Sequence, residues 1–501
     1  MLEDLIKERL KKKENLEHAG VDCYPAKVKR DHKIEEVLKS FSFLSLFKKK
    51  VAIVGRILAL RGQGGIIFID LYDGSGVMQA VVSKKNFSAP LSGAGSPEGR
   101  KDIFRLYKEN LDLGDFIAVE GTIFKTKAGQ KSLQVDGLVL ATKSLRPIPS
   151  QWYGIQDEEE KLRKRYLDIL LNPEIRDMFK KRAKFWNSIR EFLIERDFLE
   201  VETPVLENTT GGADARPFIT HHNALDIDVF LRISMGELWQ KRLMVAGYEK
   251  TFEIGRQFRN EGMDAEHLQD YTQMEFYWAY ADYEMGMDLV EDMYKYVALK
   301  TFGKLKFTIG EFEVDLGKKW ERYDYAETIK RHTGIDILNT NLDEIKERLK
   351  GLKVDYSREG FNITRAIDNL WKYCRKQICG PGFLVGVPVE VSPLAKRDPK
   401  NPKITQRFQP IIAGSELGNG YSELNDPVDQ MSRFNDQAEL RSAGDEEAQM
   451  KDEEFVEALE YGMPPTCGFG MSERVFSFLM NKSARECQIF PLLRPKKPES
   501  D

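Results

Sequence analysis

The stretch FRNEGMDAEHLQDYTQMEFYW, Phe258 to Trp278, holds Arg259, Glu261, His267 and Glu275 within a short span. A simple hairpin requires none of them. A fixed guanidinium binds a carboxylate or a phosphate through two N–H groups at once. A carboxylate beside it accepts hydrogen bonds from an amine. With a strand period of two, Glu253, Gln257, Arg259 and Glu261 share one face of KTFEIGRQFRNE, and Phe252, Ile254 and Phe258 share the other. In YTQMEFYW, Tyr271, Gln273, Glu275 and Tyr277 face one way, and Thr272, Met274, Phe276 and Trp278 the other. An antiparallel pair would therefore present Arg259, Glu261, Gln273, Glu275 and Tyr277 together, with His267 at the hairpin mouth.

Two later stretches repeat the pattern. In GSELGNGYSELND, Asn419, Tyr421 and Glu423 alternate onto one face, with Glu416 just before them. Glycines at 414, 418 and 420 allow a ligand close to the backbone. In PPTCGFGMSERVFSFLM, Gly468 and Gly470 precede Arg474 at a predicted helix start, a setting suited to phosphate. A charged strand face is usually just solvated. Three such faces in one chain favour a ligand site.

The elements that must position these residues are legible in outline. The chain has 501 residues, 41% of them hydrophobic and 31% charged, enough for more than one well-packed domain. No apolar run is long enough to span a bilayer, and the N-terminus lacks an apolar signal core, so a cytoplasmic protein is expected. Cys23, Cys374, Cys379, Cys467 and Cys487 are scattered without a C-x-x-C, which argues against a disulfide framework or a zinc site. Residues Met1 to Ser150 hold 26 Lys and Arg against 18 Asp and Glu, and the remainder holds 50 against 62. A basic front on an acidic body suits a polyanion-binding module joined to something else.

Leu2, Leu5, Ile6 and Leu10 recur at helical spacing and predict an N-terminal amphipathic helix. From Val51 to Leu140, β-rich runs separated by turns at Asp73-Gly74 and Ala128-Gly129 predict about five strands and a small barrel of the OB type. Pro147 and Pro149 read as a stiff linker. Ile175, Met178, Phe179, Phe185, Ile189, Phe192 and Leu193 predict a long helix. Further helices are expected near Gly236–Val245 and Tyr283–Thr301. Residues 325–376 read as a charged helical insertion. Trp186 and Trp371 read as core, His221-His222 as sheet support near the substrate, and Lys48-Lys49-Lys50 as a solvated loop.

In combination the chain resembles the class II aminoacyl-tRNA synthetases, and within them the lysine type. FLEVETPVL is similar to motif 1, FRNEGMDAEHLQDYTQMEF to motif 2 and GFGMSERV to motif 3. GGADARPFITHHNALDIDVFLRIS, PVEVSPLAKR and GNGYSELNDPVDQ resemble lysine-type sequences. The resemblance covers nearly the whole chain. It implies an α+β protein with an OB-fold barrel and an antiparallel-sheet catalytic domain flanked by helices. It divides the chain into residues 1–34, a helix and lead-in; 35–145, the anticodon-binding barrel; 146–165, a linker; and 166–501, the catalytic domain.

The implied activity is lysine–tRNA ligation: ATP and L-lysine give an adenylate, and lysine passes to the 3′ end of tRNA(Lys). By resemblance Arg259 and Arg474 are catalytic. Arg259, Glu261, His267, Tyr271, Glu416 and Arg474 bind ATP. Gly212, Glu237, Arg259, Glu275, Tyr277, Asn419 and Glu423 bind lysine. Glu416 holds Mg2+, and Phe68 and Gln79 read the anticodon. A homodimer through motif 1 is also implied. The sequence departs from the family in three places. Gln409 replaces a second acidic metal ligand, motif 3 is one residue short, and an anticodon-reading acid falls at Gly137, next to Asp136. The rival readings are a catalytically silent tRNA-binding paralogue and a relative that lysylates proteins.

Overall fold

The computed structural model describes residues 2–87, 103–149, 154–213, 215–262, 266–356, 361–442 and 450–496. The chain divides into two compact units, Met1–Asp157 and Glu158–Asp501.

In the first unit five strands close a barrel in the order Lys50–Gln63, Ile66–Tyr72, Val77–Ser83, Lys131–Thr142 and Phe116–Lys125. Only the third and fourth run parallel. The closure removes exposed sheet edges, as expected for an OB-fold. Alternation sets the inside: Ile67, Ile69 and Leu71 are buried, and Phe68 and Asp70 face outward. Phe68 lies opposite Val81 and Asp70 opposite Gln79, so Phe68 and Gln79 share the outer face. A register shift opposite Glu120–Gly121 makes Asp136 an extra residue in its strand, and its carboxylate pairs with Lys50 at 3.1 Å.

The N-terminal helix, Leu2–His18, forms as the periodicity predicts. Leu2, Leu5 and Leu10 are exposed, and Arg9 and Leu16 are buried. Polar contacts set the packing face. Arg9 donates to the carbonyls of Ser144 and Arg146, each at 3.1 Å, and Lys12 pairs with Asp112 at 2.7 Å.

The second unit is built on a nine-stranded sheet. Its main path runs Glu321–Asp324, Gly382–Val385, Arg407–Ile412, Asn419–Ser422, Thr466–Ser472, Asp270–Ala279, Lys250–Phe258 and Leu199–Glu200. The two outermost pairings are parallel and the others antiparallel. One face is covered by the helices Pro173–Ile194 and Tyr283–Phe302. Phe185, Ile189, Phe192, Val290 and Met293 pack with Phe252, Met274, Phe276, Phe408 and Phe469 of the strands. Phe252, Ile254, Met274, Phe276 and Trp278 of the hairpin thus face the core, and the alternate residues Gln273, Glu275 and Tyr277 are left for the other face.

Among the described residues of 325–376, three helices form. Tyr325–Thr333, Leu342–Gly351 and Ile363–Arg375 start at capping residues Asp324, Asn341 and Asn362. They connect the parallel strands Glu321–Asp324 and Gly382–Val385 and carry a core of their own around Ile329, Ile345, Leu370 and Trp371. Among the described residues, no helix is long and apolar enough to cross a membrane. All five cysteines are free.

Candidate active site

The open face of the large sheet floors a cavity of about 380 Å³. Lining it are Gly212, Glu237, Arg259, Glu261, His267, Tyr271, Glu275, Tyr277, Gln409, Glu416, Asn419, Glu423 and Arg474. Every residue the sequence singles out for ATP, lysine or metal is therefore brought to one place. Phe68 and Gln79 belong to the other unit. His221 and His222 do not line the cavity. They sit on a separate three-stranded sheet, where exposed His221 lies 3.0 Å from Asp228.

The hairpin register explains the arrangement. Gln273 lies opposite Gly255 and Glu275 opposite Glu253, so the acidic face forms as the period of two predicts. Arg259 and Glu261 lie just beyond the end of their strand, where Arg259 N–H still donates to Gln269 at 2.8 Å. Glu261 and His267 are exposed at the cavity mouth.

The strand Thr466–Ser472 runs through the middle of the floor. Gly470 faces Glu275 and Asn419, and Gly468 faces Tyr277 and Tyr421. Bare backbone there lets side chains from both flanking strands lean inward. A Cβ on Gly468 would lie 2.0 Å from Glu423 Oε1 and 2.7 Å from the Tyr277 ring. Gly212 has φ of +86°, which favours glycine, and a Cβ there would lie 2.6 Å from Ser234 Oγ.

The closed end of the cavity is acidic. Glu237, Glu275 and Glu423 are all buried. Glu275 accepts from Met235 N–H at 3.1 Å, Gln273 Nε2 at 2.6 Å and Tyr277 Oη at 3.1 Å. Tyr421 Oη donates to Glu237. Burial, reinforced by the charge of Glu237, raises the Glu275 carboxyl to about 7. Burial also pushes the Glu423 carboxyl upward, against the pull of Lys241. The phenols of Tyr277 and Tyr421 are raised by the same loss of water and stay neutral.

Lys241 is a functional-site residue that the sequence reading missed. It is 1% exposed, and its ammonium lies 2.7 Å from Glu237 and 2.6 Å from Glu423. Burial opposes that charge, but the two carboxylates outweigh it and raise the ammonium above its ordinary value. The available signal was the i, i+4 spacing of Glu237 and Lys241 on the helix Glu237–Val245.

The open end carries the cations. Arg259 Nε donates to Ile233 O at 3.3 Å. Tyr271 is half-buried, and its hydroxyl accepts from Gln257. Arg474 opens the helix Arg474–Leu479, and its guanidinium donates to Ser415 Oγ at 2.8 Å and to the Glu266 carboxylate. Arg407 Nε donates to Asn419 Oδ1 at 2.8 Å and fixes that amide. Glu416 lies opposite Ile411, close to Gln409 on the same strand, and accepts from Trp371 Nε1. Trp371 is core, as expected, and also ties the helical crossover to the cavity wall.

An acidic pocket that opens toward Arg259, Arg407 and Arg474, on a mainly antiparallel sheet, suits a reaction between an amino acid and a nucleotide. The family model for class II tRNA synthetases (D, K and N) matches residues 157–494, and the model for the OB-fold nucleic acid binding domain matches residues 51–141. The chain belongs to the class II tRNA synthetase family. Its curated relatives include proteins named Lysine--tRNA ligase. That of Roseiflexus sp. (strain RS-1) is 42% identical over 502 residues, covering 99% of each chain. Those of Thermosipho africanus (strain TCF52B) and Thermotoga maritima are each 40% identical, over 99% and 100% of this chain and 97% and 98% of theirs.

Proposed function

We propose that the protein is an ATP-dependent lysine–tRNA ligase. The observation that carries the reading is the closed end of the cavity, where the buried carboxyls of Glu237, Glu275 and Glu423 converge. A point cation on an aliphatic stem needs acids at its far end. In this reading Glu275, Tyr277 and Glu423 take the side-chain ammonium, and Gly212 and Glu237 take the α-amino group. Asn419 and Arg259 take the carboxylate. Tyr271, Glu261 and His267 flank the adenine and outer phosphates, and Arg474 the γ-phosphate.

The first step is an in-line displacement. A lysine carboxylate oxygen bonds to the α-phosphorus as the bond to the β-phosphate bridge breaks, and pyrophosphate leaves with that electron pair. Arg259 neutralises both reacting groups and holds them in line. The terminal hydroxyl of tRNA then attacks the lysyl carbonyl, and AMP leaves. Lysine-dependent ATP–pyrophosphate exchange followed by charging of tRNA transcripts tests the reading. Exchange without tRNA charging would favour a protein-lysylating relative, and neither activity would favour a silent tRNA-binding paralogue.

Magnesium fits the donor set in part. Glu416 and Gln409 offer one carboxylate and one amide oxygen, both hard donors. Among the described residues no group of three or more His, Cys, Asp or Glu is placed to hold a metal. An ion there would draw its other ligands from nucleotide and water, and it would supply charge neutralisation at the phosphates. Restoring a carboxylate through Gln409→Glu should lower the magnesium concentration for half-maximal exchange. An unchanged magnesium titration would remove position 409 from the ligand set.

Residues 35–145 are proposed to read the tRNA anticodon on the outer barrel face. Phe68 is half-buried there, diagonal to Gln79, which is only 6% exposed and whose Oε1 accepts from Ser132 Oγ at 3.0 Å. A face of this kind stacks and hydrogen-bonds unpaired bases. Phe68→Ala should weaken tRNA charging by about 1–3 kcal/mol of stacking while leaving pyrophosphate exchange unchanged. Equal charging by variant and wild type would rule out this contact.

A homodimer through the motif 1 region accounts for the exposed Leu199, Val205, Leu206 and Ile219. Light scattering should give about twice 57.7 kDa, and a monomer mass would refute it. Acting on ATP and tRNA, the enzyme is assigned to the cytoplasm.

A further inference from the structure

Lys241 has no part in the residue roles set out above and does not itself line the cavity, yet it lies directly behind two of the carboxylates that do. Its ammonium bridges Glu237 and Glu423 at 2.7 and 2.6 Å. Its Nζ lies 5.4 Å from the Tyr421 ring and 5.8 Å from the Phe455 ring. No part of its side chain is exposed. A lysine buried to that degree is costly unless its charge is needed.

The charge count supplies a reason. Three buried carboxylates and one resident ammonium leave the closed end two negative charges in excess. Free lysine brings two ammonium groups, and its own carboxylate is matched by Arg259. We propose that Lys241 is a positioning residue and resident counter-ion that sets the pocket's demand at two ammonium groups and so helps select a diamino acid. The proposal rests on the lysine–tRNA ligase reading and deepens it.

The groups facing Lys241 and its carboxylates can be named element by element. Glu237 shares its helix, Tyr421 and Glu423 come from and just after the strand Asn419–Ser422, and Glu275 and Tyr277 come from the hairpin. Arg259 draws Glu275 down in part from the open end and the tyrosines stay neutral, so the excess negative charge that remains in the free pocket is relieved by protons on the carboxyls. Glu275, raised to about 7 by burial and by Glu237, is already poised to hold one. Incoming ammonium groups then displace protons. Without Lys241, a third unmatched carboxylate must take up another.

The test counts protons released on lysine binding to the full-length protein. Calorimetry at pH 7 in buffers of different ionisation enthalpy gives the number directly. The wild type should release a fraction of a proton. Lys241→Met should release about one more, and its lysine dissociation constant should fall about an extra tenfold per pH unit. Lys241→Arg keeps the positive charge between Glu237 and Glu423 and should keep the wild-type count. It also avoids an unmatched buried carboxylate, so it answers the question if Lys241→Met does not fold. A Lys241→Met protein that binds lysine with the wild-type proton count overturns the counter-ion role. So does a Lys241→Arg protein that releases the extra proton. Failure of the wild type to bind millimolar lysine overturns the ligase reading instead, and the inference with it.

Discussion

Replacing Arg474 by alanine should slow lysine-dependent pyrophosphate exchange by about 10²–10³-fold, or roughly 3–4 kcal/mol of transition-state stabilisation. The geometry explains why the effect is on rate. Arg474 is fixed by the residue before it. Glu473 is 3% exposed, its N–H donates to Thr272 O at 3.0 Å, and its carboxylate is held by Arg182 and Gln488. The helix start is therefore anchored from three directions, and the guanidinium is aimed before any ligand arrives. In the free protein its partners are Ser415 Oγ and Glu266. A nucleotide phosphate would exchange for Glu266 at that fork with little reorganisation. Alanine removes the charge and leaves the anchor, so the thermal unfolding midpoint should move by only a few degrees. An Arg474→Ala protein with exchange within threefold of the wild type would show that the shortened motif 3 places a different residue at the phosphate.

The sequence disclosed those parts of the site that follow a local period. Alternation along one strand decides which side Glu275 faces, and so it was readable without any knowledge of the neighbours. The same holds for Ile67, Ile69 and Leu71 inside the barrel. Contacts between distant segments were not readable. Lys241 pairs with Glu237 one helical turn away, which spacing can suggest. Its second partner, Glu423, comes from another strand, and no local pattern links the two. Arg9 shows the same limit. The spacing of Leu2, Leu5, Ile6 and Leu10 predicts the first helix, but the acceptors that hold Arg9 lie at residues 144 and 146, beyond any local pattern. Trp371 was read as core and is core. Its indole N–H also reaches Glu416, because the helical crossover folds back onto the cavity wall.

Glu423→Gln should raise the lysine KM by roughly 30-fold to several thousand-fold, the range expected when a buried hydrogen-bonded charge pair loses one partner, about 2–5 kcal/mol. Glu423 is 2% exposed, so water cannot replace what the carboxylate gave. The amide is close to isosteric, and the strand pairing that places it survives through its backbone bond to Thr466 at 2.8 Å. Lys241 keeps Glu237 at 2.7 Å, so the fold retains a partner for its buried ammonium. The loss then falls on the incoming side-chain ammonium, which meets a neutral amide beside Lys241. The ATP site lies at the other end of the cavity, around Arg474 and Glu416, so the KM for ATP should change by less than about twofold. Measuring both constants by pyrophosphate exchange separates the outcomes. A selective rise for lysine supports the assignment. Equal rises for both substrates would point to a general collapse of the site, and an unchanged lysine KM would remove Glu423 from the ammonium pocket.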